Sequence, residues 1–262
     1  MSCEIRPVAG YAEYKACEQL QAEAMGMSAL DVVPYAVLQS FAKAGGVVLG
    51  AFEDAQMIGC VFGYVGLAED GTLYHRSQRL AVLPAWQGRG VGEALKRAQA
   101  AHALAHGLKL MCWTFDPLRA RNAHLNLHKL GATSRTYLPD AYAAPTSPRD
   151  AGMPIDRLWV EWWLDAPASG RPTSETERAL GERAPIVLRN VGGAPAGLDC
   201  SMHADWVVIQ IPDDIDVVRK QDMALAQAWR DATRQAFMAY FARGYQVVDF
   251  IRGQGYMLSL VC

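Results

Sequence analysis

Apolar and polar positions change period along the chain, and each change marks an element. Cys3 to Val8 has strand character, and Tyr11 to Met27, dominated by Ala, Glu, Gln, Lys and Leu, predicts a helix. Pro34 suits the first turn of a second helix that runs to Ala44 and stops at Gly45-Gly46. Val47 to Phe52 and Met57 to Leu67 read as central strands across a hairpin-length connection. Leu80 to Leu83 makes a third strand, ended by Pro84, which has no N–H for a ladder. Val91, Leu95, Ala98, Ala101 and Ala105 then recur at helical spacing up to Gly107. Leu108 to Phe115 returns to strand, Arg119 to Leu130 to helix with Gly131 as its stop, and Leu158 to Leu164 to a Trp-rich strand.

This order, β-α-α-β-β-β-α-β-α-β, predicts an α/β (α+β) mixed twisted sheet with helices on both faces over residues 1–165. The segment 166–183 lacks apolar periodicity and reads as a linker or surface loop. Beyond it, Trp206 to Ile211 and the strands Tyr245 to Arg252 and Tyr256 to Val261 flank a long helix, Asp222 to Arg243. That helix carries Leu225, Trp229, Ala232, Ala236 and Tyr240 near one stripe. Residues 184–262 are thus expected to form a β-α-β extension docked on the preceding domain, since a piece below roughly 70 to 80 residues is marginal alone.

Composition narrows the classes of function. With 51% hydrophobic residues and a net charge of -2, the chain is neither a disordered tail nor a nucleic-acid binder held by global charge. The charged N-terminus lacks the apolar core of a signal peptide, and the longest apolar stretch, Met57 to Ala68, is short for a membrane span, so a cytoplasmic protein is expected. The six cysteines form no C-x-x-C pair or zinc-like spacing, which predicts reduced thiols and no metal. Trp159, Trp162 and Trp163 read as core or as part of an interface, and with the extension they offer a homodimer surface.

Candidate chemistry concentrates in Leu80-Ala81-Val82-Leu83-Pro84-Ala85-Trp86-Gln87-Gly88-Arg89-Gly90-Val91-Gly92. A strand breaks at proline and a glycine-rich loop opens a helix, whose first N–H groups lack intrahelical partners at the positive end of the dipole. That combination suits a phosphate or pyrophosphate, with Arg89 as an added donor. The stretch has no G-x-x-x-x-G-K-[ST], and its glycines miss the third spacing of the dinucleotide fingerprint. Gln87-x-x-Gly90-x-Gly92 after a Val-Leu-Pro strand end instead resembles the Q/R-x-x-G-x-G/A signature of the GNAT N-acetyltransferase superfamily.

The resemblance extends from about Glu4 to Leu164 and implies an acyl-CoA-dependent N-acyltransferase, with acetyl-CoA or another acyl-CoA as co-substrate. It implies that Gln87, Gly88, Arg89, Gly90, Val91 and Gly92 hold the pyrophosphate, that Leu80, Ala81 and Val82 pair with the pantetheine amides, and that Asn122 contacts CoA from the next helix. Counting back from Gly131, the position of the family's tyrosine acid is Leu127, which has no proton to give. Asn126, His128, Tyr137 and Tyr142 remain as donors. The run from Trp113 to Tyr142 with Asp156-Arg157 further resembles a bacterial GNAT subfamily with a C-terminal extension. That resemblance implies an amino acid as acceptor and brings in succinyl-CoA as an alternative donor. The missing tyrosine also leaves open a non-catalytic acyl-CoA sensing module.

In the expected reaction a neutral small-molecule amine attacks the thioester directly, and a base takes its proton. Asp116 at the end of a strand is the candidate base, with His75 and Glu69 as alternatives; a turn or helix-cap role explains Asp116 equally well. Arg119, Arg121, Lys129 and Arg135 form a local basic cluster that suits either a ligand anion or a solvated helix face.

Overall fold

The computed structural model describes residues 3–142, 151–166 and 184–260. They form two compact units. One runs through Trp113 and takes in Trp163–Asp165; the other holds 114–142, 151–162, 166 and 184–260. The linker expected at 166–183 lies outside the described residues apart from Ala166.

In the first unit β1 (Glu4–Pro7), β2 (Val47–Glu53), β3 (Gln56–Leu67) and β4 (Leu73–Val82) pair antiparallel in chain order. β4 then pairs in parallel with β5 (Leu110–Phe115), and the crossover a parallel pair requires is helix α3 (Val91–Ala105). Alternation along the strands supplies two cores. Val48, Phe52 and Phe62 pack with Tyr14, Cys17 and Leu20 of α1 (Gly10–Met25) and Leu38 of α2 (Tyr35–Lys43). Leu49, Ala51 and Val61 face the other way, onto Val91 and Leu95 of α3. Helices on both faces are what the pattern predicts.

β4 begins at Leu73, seven residues before the Leu80 expected from the sequence. Its first half, His75-Arg76-Ser77-Gln78-Arg79, is polar and hides the strand, yet His75 and Ser77 are buried.

The second unit contains α4 (Ala120–Ala123), β6 (Thr133–Leu138), β7 (Arg157–Trp163), β8 (Ile186–Val191), β9 (Ala194–Ala196), β10 (Trp206–Ile209), α5 (Ile215–Gln221), α6 (Met223–Ala242), β11 (Tyr245–Ile251) and β12 (Gly255–Leu260). The helix expected from Arg119 to Leu130 is α-helical only at its start. From His124 to Lys129 it widens into a π turn, with Leu130 N–H donating to Leu125 O at 3.0 Å. The sheet order is β7-β6-β11-β12-β10-β8-β9, with β8 and β10 parallel and the other pairs antiparallel. The C-terminal residues form more than a β-α-β piece, because the short β8–β9 hairpin and α5 carry too little periodicity to read from sequence. They share a sheet with earlier residues through Val247↔Ser134.

Helix α6 buries Ala226, Trp229, Arg230, Thr233, Ala236, Phe237 and Tyr240. Phe237 meets Tyr256 edge-on at 5.0 Å between ring centroids, and Tyr256 meets Phe250 at 4.8 Å. β7 buries Leu158 and Val160 and leaves Trp159 and Trp162 half-buried and Trp163 exposed, so the Trp-rich strand contributes its aliphatic residues to the core. Cys17, Cys60 and Cys112 are buried free thiols. No helix among the described residues is long and apolar enough to cross a membrane.

Trp229 is fully buried, and its Nε1–H donates to Gly193 O at 2.8 Å. Trp229→Ala therefore leaves both a cavity and an unpaired carbonyl, and should cost about 3–5 kcal/mol in urea unfolding.

Candidate functional site: a parted strand pair and a glycine loop

After β4 ends at Val82, Pro84–Trp86 forms a single 3-10 turn and the chain enters α3 through Gln87 to Gly90. Gly88 and Gly90 take φ of 78° and 88°, a left-handed conformation that side chains resist, and Gly90 is the residue that caps α3. No side chain caps this helix start, and its first intrahelical bond is Ala94 N–H to Gly90 O at 3.0 Å. Gln87 Nε2 donates back to Val82 O at 3.0 Å and ties the loop to the strand end. Gly88, Arg89 and Gly90 are exposed, while Val91 anchors the helix in the core. Arg89 lies over the Trp86 ring at 5.0 Å.

β4 holds β3 along its whole length, with Val61↔Leu80, Cys60↔Ala81 and Gly59↔Val82 at its far end. Its pairing with β5 is far shorter, His75↔Met111 and Arg76↔Cys112. A register shift between Phe62 and Gly63 of β3 places one extra residue, Gln78, in β4 just beyond that point. From there to Val82 no strand among the described residues pairs with the second edge of β4, whose last carbonyl, Val82 O, is taken by Gln87, and this edge leads directly into the glycine loop. The first unit therefore brings together Leu80, Ala81, Val82, Gln87, Gly88, Arg89, Gly90, Val91 and Gly92. Asn122, exposed on α4, and Asp116 belong to the second unit.

Asp116 is 6% exposed and directly follows β5. Its Oδ1 accepts from Leu118 N–H at 2.9 Å, closing a turn around Pro117, and lies 2.9 Å from Arg230 Nη1; Arg119 Nε is 3.6 Å from Oδ2. Burial alone would raise its pKa, but the charges of Arg230, Arg119 and Arg157 outweigh that and hold it below the usual carboxylate value. Arg119 in turn binds Asp216 at 2.7 Å. Sequence reasoning missed Arg230, whose position on an otherwise apolar stripe was the available signal.

The donors that stand near Leu127 in sequence are differently placed. Leu127 itself is buried, as is Asn126. Tyr137 donates to Asp156 Oδ2 at 2.6 Å, and burial together with that carboxylate's charge pushes its pKa up. Asp156 is also gripped by Arg234 at 2.6 and 2.8 Å. His128 Nδ1 lies 3.1 Å from buried Asp249, and its ring stacks on His124 at 4.7 Å. Tyr142 is exposed, 3.2 Å from Thr114 Oγ1. Of the basic cluster, Arg119 is committed to carboxylates and Arg135 reaches Glu161 at 3.8 Å, while Arg121 and Lys129 are exposed. Among the described residues, no group of three or more His, Cys, Asp or Glu is arranged to hold a metal.

His75 is fully buried, and neither ring nitrogen has a hydrogen-bond partner among the described residues. Burial, with the Lys96 charge as a smaller cause, lowers its pKa from 6.5 to about 4. A ring held neutral by folding contributes stability above pH 6.5, and that contribution is lost as pH falls toward 4, by roughly 3 kcal/mol at ~1.4 kcal/mol per unit. His75→Leu, which does not titrate, should lose correspondingly less stability across that window in urea titrations at the two pH values. Asp116→Ala should destabilise by about 3–5 kcal/mol because it strands buried Arg230, and adding Arg230→Met should restore part of that loss.

Residues 44–130 match the acetyltransferase (GNAT) domain family. No curated protein matches the chain. Among solved structures, the NatC complex bound to Gag peptide and CoA aligns at a TM-score of 0.51 and 12% identity, covering 62% of this chain and 99% of that one. Arabidopsis thaliana NAA60 in complex with a bisubstrate analogue aligns at 0.51 and 13% identity, covering 62% and 98%. At such identities these likenesses establish the fold, and the family match falls on the parted strands, the glycine loop and the two helices that follow. Over residues 44–130 the chain is thus similar to the GNAT acetyltransferase domain.

Proposed function

We propose that the chain is an acyl-CoA-dependent N-acyltransferase that moves an acetyl group to the amine of a small molecule, an amino acid being the acceptor the sequence favours. One observation carries this reading: the open edge of β4 runs straight into an uncapped helix start whose loop glycines keep side chains away. An extended diamide followed by a pyrophosphate has the matching order of groups. The amides complete the ladder along Leu80 to Val82, and the pyrophosphate meets the N–H groups from Gly88 to Gly92.

The neutral amine attacks the thioester carbonyl, the tetrahedral adduct collapses with loss of the CoA thiolate, and the amine's proton passes to solvent. Holding both reactants in one site supplies most of the rate. Asp116, locked between arginines at a lowered pKa, fits the part of positioning the β5–α4 turn better than that of taking a proton. Leu127 in the place of a proton donor favours a second reading, an acyl-CoA-binding module without turnover.

Release of free thiol from acetyl-CoA in the presence of a panel of amino acids and polyamines tests the first reading; tight CoA binding without release supports the second. Gly90→Glu adds a side chain where φ is 88° and a negative charge at the phosphate position. Calorimetry should show CoA affinity falling by about 100-fold or more. Affinity within a few-fold of the parent would rule out the loop as the pyrophosphate site.

A further inference from the structure

We propose that Lys96 plugs the inner end of the β4–β5 opening and thereby restricts the acyl donor to short chains, a specificity role that rests on the acyl-CoA reading above. Lys96 projects from α3, three per cent exposed. Its Nζ donates to Ser77 Oγ at 2.7 Å and lies 3.6 Å from the centroid of the Trp113 ring. Ser77 and Trp113 are the residues that follow Arg76 and Cys112, the last pair joining the two strands. The lysine therefore spans the first step at which β4 and β5 part, tied to one strand by a hydrogen bond and to the other by a cation–π contact.

The polar set around it has no carboxylate among the described residues, and Gln99 Nε2 and both His75 ring nitrogens have no hydrogen-bond partner there. Ser77 Oγ donates to Gln99 Oε1 at 2.7 Å, and Gln99 is fully buried on the same helix face. His75 fills the space left by Gly63, where a Cβ would stand 2.5 Å from the ring. No carboxylate among the described residues pairs with Lys96, and burial, with Arg76 as a further cause, pulls its pKa well below 10.5. A buried lysine without a counterion is costly, so its retention at this one step calls for a reason beyond packing.

Position supplies the reason. From Val82 to Ser77 the free edge of β4 spans roughly 16 Å at about 3.3 Å per residue, the scale of an extended pantetheine arm. An arm anchored at the glycine loop ends beside Ser77, and the acyl group beyond it meets the lysine. A polar floor closed by a side chain admits an acetyl group and leaves no room for a longer one, charged or apolar, and an apolar chain would also have to desolvate the amine.

The test needs no acceptor. Affinities of CoA, acetyl-CoA, butyryl-CoA, hexanoyl-CoA and succinyl-CoA are measured by calorimetry for the full chain and for Lys96→Ala and Lys96→Met. The parent should bind acetyl-CoA about tenfold or more tighter than butyryl- or succinyl-CoA. Lys96→Ala, which empties the stem beyond Cβ, should bring butyryl-CoA within about threefold of acetyl-CoA while free CoA binds as in the parent. Lys96→Met refills the space and should keep the parent's order. If Lys96→Ala does not fold, Trp113→Leu opens the same floor from β5 and carries the same expectation. CoA binding with an unchanged chain-length series in the opened variant, or a parent that takes butyryl- or succinyl-CoA as readily as acetyl-CoA, overturns the role of Lys96 alone. Failure of the parent to bind CoA overturns the acyl-CoA reading and this inference with it.

Discussion

The constraint on which the site depends is that a backbone strand has two hydrogen-bonding edges, and β4 satisfies one of them fully and the other only as far as Arg76. Peptide N–H and C=O groups inside a protein are nearly always paired. A strand that abandons its neighbour halfway must turn its free groups to water or to a ligand. The extra residue at Gln78 makes the departure abrupt, because a bulge increases local twist and swings the edge away from its partner. The same strand then ends at Pro84, and the chain reaches a helix start with unpaired N–H groups within a few residues. Open edge and open helix end are thus consecutive in the chain, which lets one extended ligand satisfy both.

Charge is handled in opposite ways in the two units. In the second, two buried carboxylates meet arginine, Asp116 with Arg230 and Asp156 with Arg234, and a third, Asp249, meets His128. Removing one partner from such a pair costs more than the pair contributes, so these groups fix geometry and are poor candidates for proton traffic. In the first unit Lys96 and His75 are buried without counterions, and burial pulls both toward their neutral forms. The chain invests desolvation energy at the parting of the strands, where a wholly apolar floor would have been cheaper in stability.

The elements that set the fold were largely legible. Apolar runs marked β2 and β3, helix-favouring composition marked α1, and apolar residues at helical spacing marked α3 and α6. Legibility failed where burial and polarity coincide. His75, Ser77, Lys96 and Gln99 form a polar core, so the first half of β4 looked like loop and the inward face of α3 looked solvated. Arg230 interrupts the stripe of α6 for the same reason. Gly88 and Gly90 were readable because a positive φ leaves glycine in the sequence. The role of Asp116 was not, since its arginine partner comes from more than a hundred positions away.

Leu127 changes what the protein must supply if acyl transfer is its chemistry. A thiolate is a tolerable leaving group without prior protonation, so a general acid adds little. The amine is the harder partner, because its ammonium form cannot attack. With Asp116 held between arginines, the neutral fraction comes in this reading from solution equilibrium, and the rate then rests on how closely the acceptor is held against the thioester. Such a site would gain most from a rigid, short acyl pocket, since any slack at the carbonyl directly lowers the population of reactive encounters. A tethered lysine at the point where two strands divide is a means of removing that slack.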